Sequence, residues 1–354
     1  EAEEGSHVEI DDSVFMPKFT ELTTGDWTEM RPGGETVCGR NTSYAFFVRR
    51  GAADGPVILE FEGGGACWSA STCQKATNTF KDTVESDRAE FRRVKEGTER
   101  RLGISDVDGP YAGMTHVFVP YCTGDLHWGN STVTYSDTVT VHHRGSVNAK
   151  SVIDWVLTEL GEPPRVLVTG CSAGAYASSF WGAQLAYAFE TRGASTKVVQ
   201  MADAGMGVIS STFMVDSFPT WRALEGAAFP RFAIPDDFPQ DPIDLGSLSM
   251  PLLYRWIAQR FPNGTWSQYS SAADWIQAFF LLAQKLGEGT DVEAKDQIDW
   301  YTEMNDMYDA FIPENPANLL HMVGPGDYHC NIRADSHWHI DAGNEQPFFK
   351  VLHN

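Results

Sequence analysis

The stretch Val168-Thr-Gly-Cys-Ser-Ala-Gly-Ala-Tyr-Ala-Ser-Ser179, VTGCSAGAYASS, continues an apolar run that starts at Arg165. Arg165 to Gly170 reads as a short buried strand, and Ala173 to Phe189 as a helix. Between them stands Gly170-Cys171-Ser172-Ala173-Gly174, a G-x-S-x-G. Alone, that pattern arises often by chance. Between a strand and a helix, with small residues on both sides, it predicts a sharp turn that holds Ser172 in a strained conformation. Glycines on either side leave room for the backbone to approach. The hydroxyl then projects from the carboxyl end of a sheet, where open α/β sheets place their sites. The plain alternative is a tight turn with a buried serine.

Outward from this turn, strand and helix signals alternate. Tyr44 to Arg50, Val57 to Glu62, His116 to Pro120, Lys197 to Met201 and Asn318 to Val323 read as strands, and Lys18 to Met30 as a strand with a break. Residues 84–101, Ser151 to Leu160 and Asp274 to Leu286 carry helical spacing. This alternation predicts an α/β fold with a mostly parallel central sheet and helices on both faces. One α/β-hydrolase-like domain over residues 1–354 is expected. Residues 206–262 are rich in Pro, Phe, Met and Trp and have no clean period. They read either as an irregular insertion capping the site or as irregular packing.

Of the 354 residues, 26 are basic and 48 acidic, a net charge of −22. That argues against nucleic acid and anionic membranes as partners. It also disfavours a strongly anionic polymer as substrate, unless the site is locally basic. No apolar run of about 18 residues exists, so no membrane span is expected. The start, EAEEGSHVEIDD, is acidic and does not read as a signal peptide. Secretion is nevertheless suggested by sequons at Asn41, Asn130 and Asn263 and by six cysteines: Cys38, Cys67, Cys73, Cys122, Cys171 and Cys330. None forms a CxxC pair with zinc-ligand spacing, which favours disulfides over a metal cluster. Cys67 and Cys73 are expected to close a local loop. No cofactor or metal is expected.

A serine hydroxyl is a poor nucleophile at neutral pH and needs a base, itself oriented by an acid. In α/β-hydrolases the chain order is serine, acid, histidine. Five histidines follow Ser172. His321 falls in an apolar strand and reads as packed. His353 lies beside the last residue. His337 and His339 form H-x-H, either a polar loop or, with Asp335 or Asp341, metal ligands. His329 stands in a loop just past the last strand and is the expected general base. Thirteen aspartates lie between Ser172 and His329. Asp203 ends a strand and Asp274 opens a helix; both fit by position, and each also reads as a cap or a solvated carboxylate. Glu62-Gly63-Gly64-Gly65-Ala66-Cys67 follows a strand, as an oxyanion loop does. Donors are expected from Gly64 or Gly65 together with Ala173. A phosphate-binding reading of these glycines fails, because neither Gly-Lys-Ser/Thr nor G-x-G-x-x-G spacing is present.

Taken together, CGRNTSYAFFVRRG, LEFEGGGACW, VPYCTGDLHWGN, VHHRGSVNA, VTGCSAGA, ADAG and SSAADWIQAFF resemble the pectin acetylesterase and Notum family of α/β-hydrolase serine carboxylesterases, its bacterial-type members most closely. The resemblance runs from about Cys38 to Cys330, and the combination of EGGG, GCSAGA and a D-x-x-Q helix makes it specific. It implies a triad of Ser172, Asp274 and His329, oxyanion donors at Gly64, Gly65 and Ala173, and a structural role for Asp203. It further implies a secreted esterase that removes O-acetyl groups from a polysaccharide through an acyl-enzyme. Two departures stand out: Ala66 where pectin-type members carry Trp, and Ala273 where they carry Tyr. Two other functions stay open. One is a lipase or polyester hydrolase whose larger acyl pocket is lined by 206–262; the other is a catalytically silent binding module. Trp68 and Trp128 are candidates for stacking sugars, or for core packing. Acyl group, alcohol and oligomeric state are left unspecified.

Overall fold

Val57-Ile-Leu-Glu-Phe61 and Arg165-Val-Leu-Val-Thr-Gly-Cys171 are apolar almost throughout, as strands covered on both faces must be. The computed structural model describes residues 13–210, 212–287 and 300–333. The described strands are β1 (Trp27–Met30), β2 (Phe46–Arg49), β3 (Val57–Phe61), β4 (Thr115–Val119), β5 (Ser131–Ser136), β6 (Val139–His143), β7 (Arg165–Cys171), β8 (Lys197–Asp203), β9 (Thr265–Ser271) and β10 (Leu319–Gly324). The described helices are α1 (Glu85–Lys95), α2 (Gly145–Glu159), α3 (Ala173–Thr191), α4 (Phe213–Trp221), α5 (Met250–Arg260), α6 (Trp275–Gly287) and α7 (Trp300–Phe311).

Eight strands form one sheet in the order β1-β2-β4-β3-β7-β8-β9-β10. The β1–β2 and β2–β4 pairs are antiparallel, and every other pair is parallel. This is the expected α/β-hydrolase-like architecture. Side chains alternate across it. Val57, Leu59 and Phe61, with Val166 and Val168, join one cluster beside Trp155 of α2, Phe180 and Leu185 of α3, and Ile257 of α5. Ile58, Leu167, Val199 and Met201 face the other way, onto Ile104, Tyr111 and Ile332. Near the antiparallel edge, Phe91 of α1 stacks on Phe47 at 4.0 Å.

The strand order reverses between β3 and β7: β4 lies beyond β3 on one side, and β8 beyond β7 on the other. Such a switch point opens a crevice at the carboxyl ends of the strands. Both signature segments, Gly63–Gly65 and Ser172, follow those two strands.

Several elements differ from expectation. The β5–β6 hairpin, β9 and α7 carried no clear sequence signal. Residues 18–26 form no strand; Phe19–Glu21 is a short 3-10 turn. Helix α1 stops at Lys95, and Gly97 follows with φ +71°. Helix α2 starts at Gly145 rather than Ser151, because the buried Asp125 carboxylate accepts the Gly145 N–H at 2.8 Å. All six cysteines are paired, as Cys38–Cys122, Cys67–Cys73 and Cys171–Cys330. The Cys67–Cys73 loop is the one expected.

Candidate active site

The two glycines of the elbow are dictated by space. A Cβ on Gly174 would sit 2.0 Å from the carbonyl oxygen of Phe61, and one on Gly170 would sit 2.3 Å from that of Gly174. Neither neighbour can yield, since both are backbone in the β3–β7–α3 junction. Ser172 itself has φ 57° and ψ −123°, the strained turn expected of an exposed nucleophile. Its N–H is held by the Asp203 carbonyl at 2.9 Å, and its own carbonyl accepts from Ala175 at 2.9 Å.

His329 and Asp274 meet, although they lie far apart in the chain. Nδ1 of His329 is 2.8 Å from Oδ2 of Asp274 and 3.0 Å from Oδ1. Asp274 is wholly buried. It also caps α6, accepting from the N–H groups of Ile276 and Gln277, each at 3.1 Å. Asp274 thus caps α6 and hydrogen-bonds His329 at once. Gln277 Nε2 donates to Asp274 Oδ2 at 2.8 Å and to Ser270 Oγ at 2.7 Å. Asp203 does something different: its carboxylate accepts the Ile332 N–H at 2.7 Å, and burial pushes its pKa up to about 6. It anchors the segment after His329 and does not touch the imidazole.

The glycine loop is clamped from several directions. Gly64 accepts from the Lys81 N–H at 2.8 Å, and the Ala66 N–H donates to Thr79 at 3.1 Å. In this antiparallel bridge between Gly65 and Phe80 the ladder uses the groups flanking Gly65 and leaves its own N–H outside. Gly65 has φ +77°, and a Cβ there would meet the Thr79 oxygen at 1.9 Å. The Glu62 carboxylate holds Lys81 Nζ at 2.7 Å and the Tyr121 N–H at 2.9 Å. His127 Nε2 donates to the Glu62 carbonyl at 2.9 Å. Burial holds that imidazole near pKa 4, so it stays neutral. Lys81 and His127 carried no sequence signal, because their partners are set by tertiary contact alone.

Ser172 and His329 line two lobes of one cleft. The first is apolar, about 50 Å³ in volume, walled by Trp68, Tyr176, Phe213 and Phe280 with Ala66 and Ala173. The second is open, about 650 Å³, and includes Gly63, Gly64, Gly65, Thr77, Asn78 and Lys81. The candidates Ser172, His329, Gly64, Gly65 and Ala173 are thus brought to one place, with Asp274 behind His329. Ala66 reaches the apolar lobe. Ala273 is held through its backbone, its N–H donating to Gly326 at 2.9 Å. Trp128 is a core residue, stacked on Phe180 at 4.4 Å, and Trp68 packs edge-on against Phe213 in the apolar lobe. His321 is packed against Tyr308. His337, His339, His353, Asp335 and Asp341 lie outside the described residues. Of the sequon asparagines, Asn41 and Asn263 are exposed, whereas Asn130 is half-buried and accepts from Arg144 at 2.9 Å.

The pectinacetylesterase family model matches residues 31–219, just over half of the chain. The chain belongs to the pectinacetylesterase family. The match carries the glycine loop and the Ser172 elbow of this pectinacetylesterase-family chain, and ends before Asp274 and His329. Palmitoleoyl-protein carboxylesterase notum2 of Xenopus laevis is 26% identical over 173 residues, 48% of this chain and 35% of that protein. Palmitoleoyl-protein carboxylesterase notum1a of Danio rerio is 24% identical over 139 residues, 39% of this chain and 27% of its own length. The similarity to these curated relatives thus spans about a third of their length or less.

Proposed function

We propose that this chain is a secreted serine carboxylesterase that removes short acyl groups, acetyl first, from a carbohydrate alcohol. Ser172 Oγ attacks the ester carbonyl while His329 Nε2 takes its proton, Nδ1 being engaged by Asp274. The developing oxyanion is met by N–H groups of Gly64, Gly65 and Ala173. The His329 imidazolium, stabilised by Asp274, returns its proton to the leaving alcohol. Water, activated by the same imidazole, then cleaves the acyl-enzyme.

The observation that carries this reading is the His329–Asp274 pair, joined by Ser172 at one narrow apolar lobe. The small size of the apolar lobe, about 50 Å³ closed in by Trp68, Tyr176, Phe213 and Phe280, supports a short acyl group such as acetyl. A palmitoleoyl group, named for the frog and fish relatives, needs many times that. A second reading, a longer-chain lipase or polyester hydrolase, is favoured by one feature: Val208, Ile209 and Phe213 of the 206–262 segment line the lobe. On either reading that segment is an insertion within one hydrolase domain, forming a wall of the site. Secretion is supported by the three disulfides, and no described helix is long and apolar enough to cross a membrane.

The test is a chain-length series of p-nitrophenyl esters with wild type and Ser172→Ala. Acetate is expected to exceed octanoate at least about tenfold in kcat/KM. Ser172→Ala is expected to lose about 10⁴-fold or more. Preference for octanoate moves the reading to the lipase; no turnover by wild type leaves a binding module.

A further inference from the structure

Helix α6 buries two glutamines beside Leu281 and leaves two aromatics outside. Gln277 and Gln284 are buried, while Trp275 is 63% and Phe279 49% exposed. The buried glutamines have work inside the fold: Gln277 braces Asp274, and Gln284 accepts the Ser210 N–H at 2.8 Å. The outer face is harder to explain. Trp275 and Phe279 are one turn apart, so they share a face. A large exposed aromatic pair costs solvation and marks a binding surface when it adjoins a site. These two line the same open lobe as Ser172 and His329.

The rest of that lobe limits what the pair can hold. Thr77, Asn78, Thr79, Thr83 and Ser86 line it too, offering hydroxyl and amide groups. Its two cations, Lys81 and Arg333, are both salt-bridged. Lys81 sits on Glu62 and Asp87 at 2.7 and 2.5 Å, and Arg333 on Glu60 at 3.0 Å. Asp82 is taken by Arg40 at 3.3 Å. Both lining cations among the described residues already pair with carboxylates of the fold, and the chain carries −22. A lipid surface fits poorly, because the acyl lobe is small and the net charge repels anionic membranes. A neutral sugar ring, apolar on its face and polar at its rim, matches an aromatic ledge beside hydroxyls.

We propose that Trp275 and Phe279 form a stacking ledge for a neutral pyranose ring of the ester's alcohol, so that the substrate is an O-acetylated neutral glycan. This rests on the esterase reading above and names its alcohol. The ledge is tested with O-acetylated xylo-oligosaccharides, O-acetylated oligogalacturonides and ethyl acetate, using wild type, Trp275→Ala, Phe279→Ala and Trp275→Tyr. For Trp275→Ala, the ratio of KM for the xylo-oligosaccharide ester to KM for ethyl acetate is expected to rise about tenfold, with less effect for Phe279→Ala. Trp275→Tyr is expected to restore most of it. Wild type is expected to favour the neutral ester over the anionic one. An unchanged ratio in both alanine variants, or a preference for the oligogalacturonide, overturns the proposal. So does activation of wild type by phosphatidylcholine vesicles that is lost in Trp275→Ala, which would assign the face to a lipid surface. Failure of wild type on ethyl acetate would instead overturn the esterase reading itself.

Discussion

On one side of Ser172 the wall is Trp68, Tyr176, Phe213 and Phe280; on the other it is Thr77, Asn78, Thr79 and Lys81 beside a triple-glycine loop. The first lobe holds about 50 Å³ and the second about 650 Å³. The contrast teaches that the two halves of an ester would be read by different physics here. On the proposed reading the narrow side would select acyl length by exclusion, and the wide side would select the alcohol by shape and polarity. Between them, the glycine loop and the elbow belong to both.

The largest effect is expected where that shared boundary is broken. Gly65→Ala places a Cβ against the Thr79 oxygen at a positive φ, displacing a proposed oxyanion donor. A loss of about 10²–10³ in kcat with little change in KM is expected, read with p-nitrophenyl acetate. An equal rise in KM would instead place Gly65 in alcohol binding. Next comes the narrow lobe. Trp68→Ala opens it, and the hexanoate-to-acetate ratio of kcat/KM should rise about 10–100-fold. If the ratio holds, Trp68 does not limit acyl length and the two lobes are less distinct than described. The smallest effect concerns the clamp on the glycine loop. Burial lowers the His127 pKa from 6.5 to about 4. The neutral form is favoured in the fold, so this contribution is present above pH 6.5 and is lost as pH falls through about 4. His127→Gln keeps a donor for the Glu62 carbonyl without titrating. Relative to wild type it should gain about 2 kcal/mol between pH 7 and pH 5, measured by urea unfolding. A parallel pH dependence of the two proteins would show that His127 does not carry it.

How much of this was legible in the sequence depended on whether the signal was local. The elbow was, because strand, glycine and serine are contiguous and the steric demand falls on Gly170 and Gly174 themselves. The loop around Gly64 was legible for the same reason. His329 emerged from chain order and its place past β10. Asp274 did not emerge from spacing, since Asp203 sits equally well at a strand end; the family resemblance singled it out. Strand β9, Thr265–Ser271, was invisible because its sequence TWSQYSS is polar although it lies inside the sheet. Its serines are satisfied by tertiary bonds, Ser267 Oγ to the Gln200 carbonyl at 2.9 Å and Ser270 Oγ from Gln277 at 2.7 Å. Hydropathy has no means of anticipating such partners. For Trp128 the sequence left sugar stacking and core packing open, and the fold decides for packing, with the ring turned inward to stack on Phe180.

The bridge between Cys171 and Cys330 has one more consequence. It joins the residue before Ser172 to the residue after His329, 159 positions apart. Thiols stay unjoined in a reducing cytosol and close in oxidising surroundings. On the proposed secreted reading, the link across the cleft would be fastened only in oxidising surroundings.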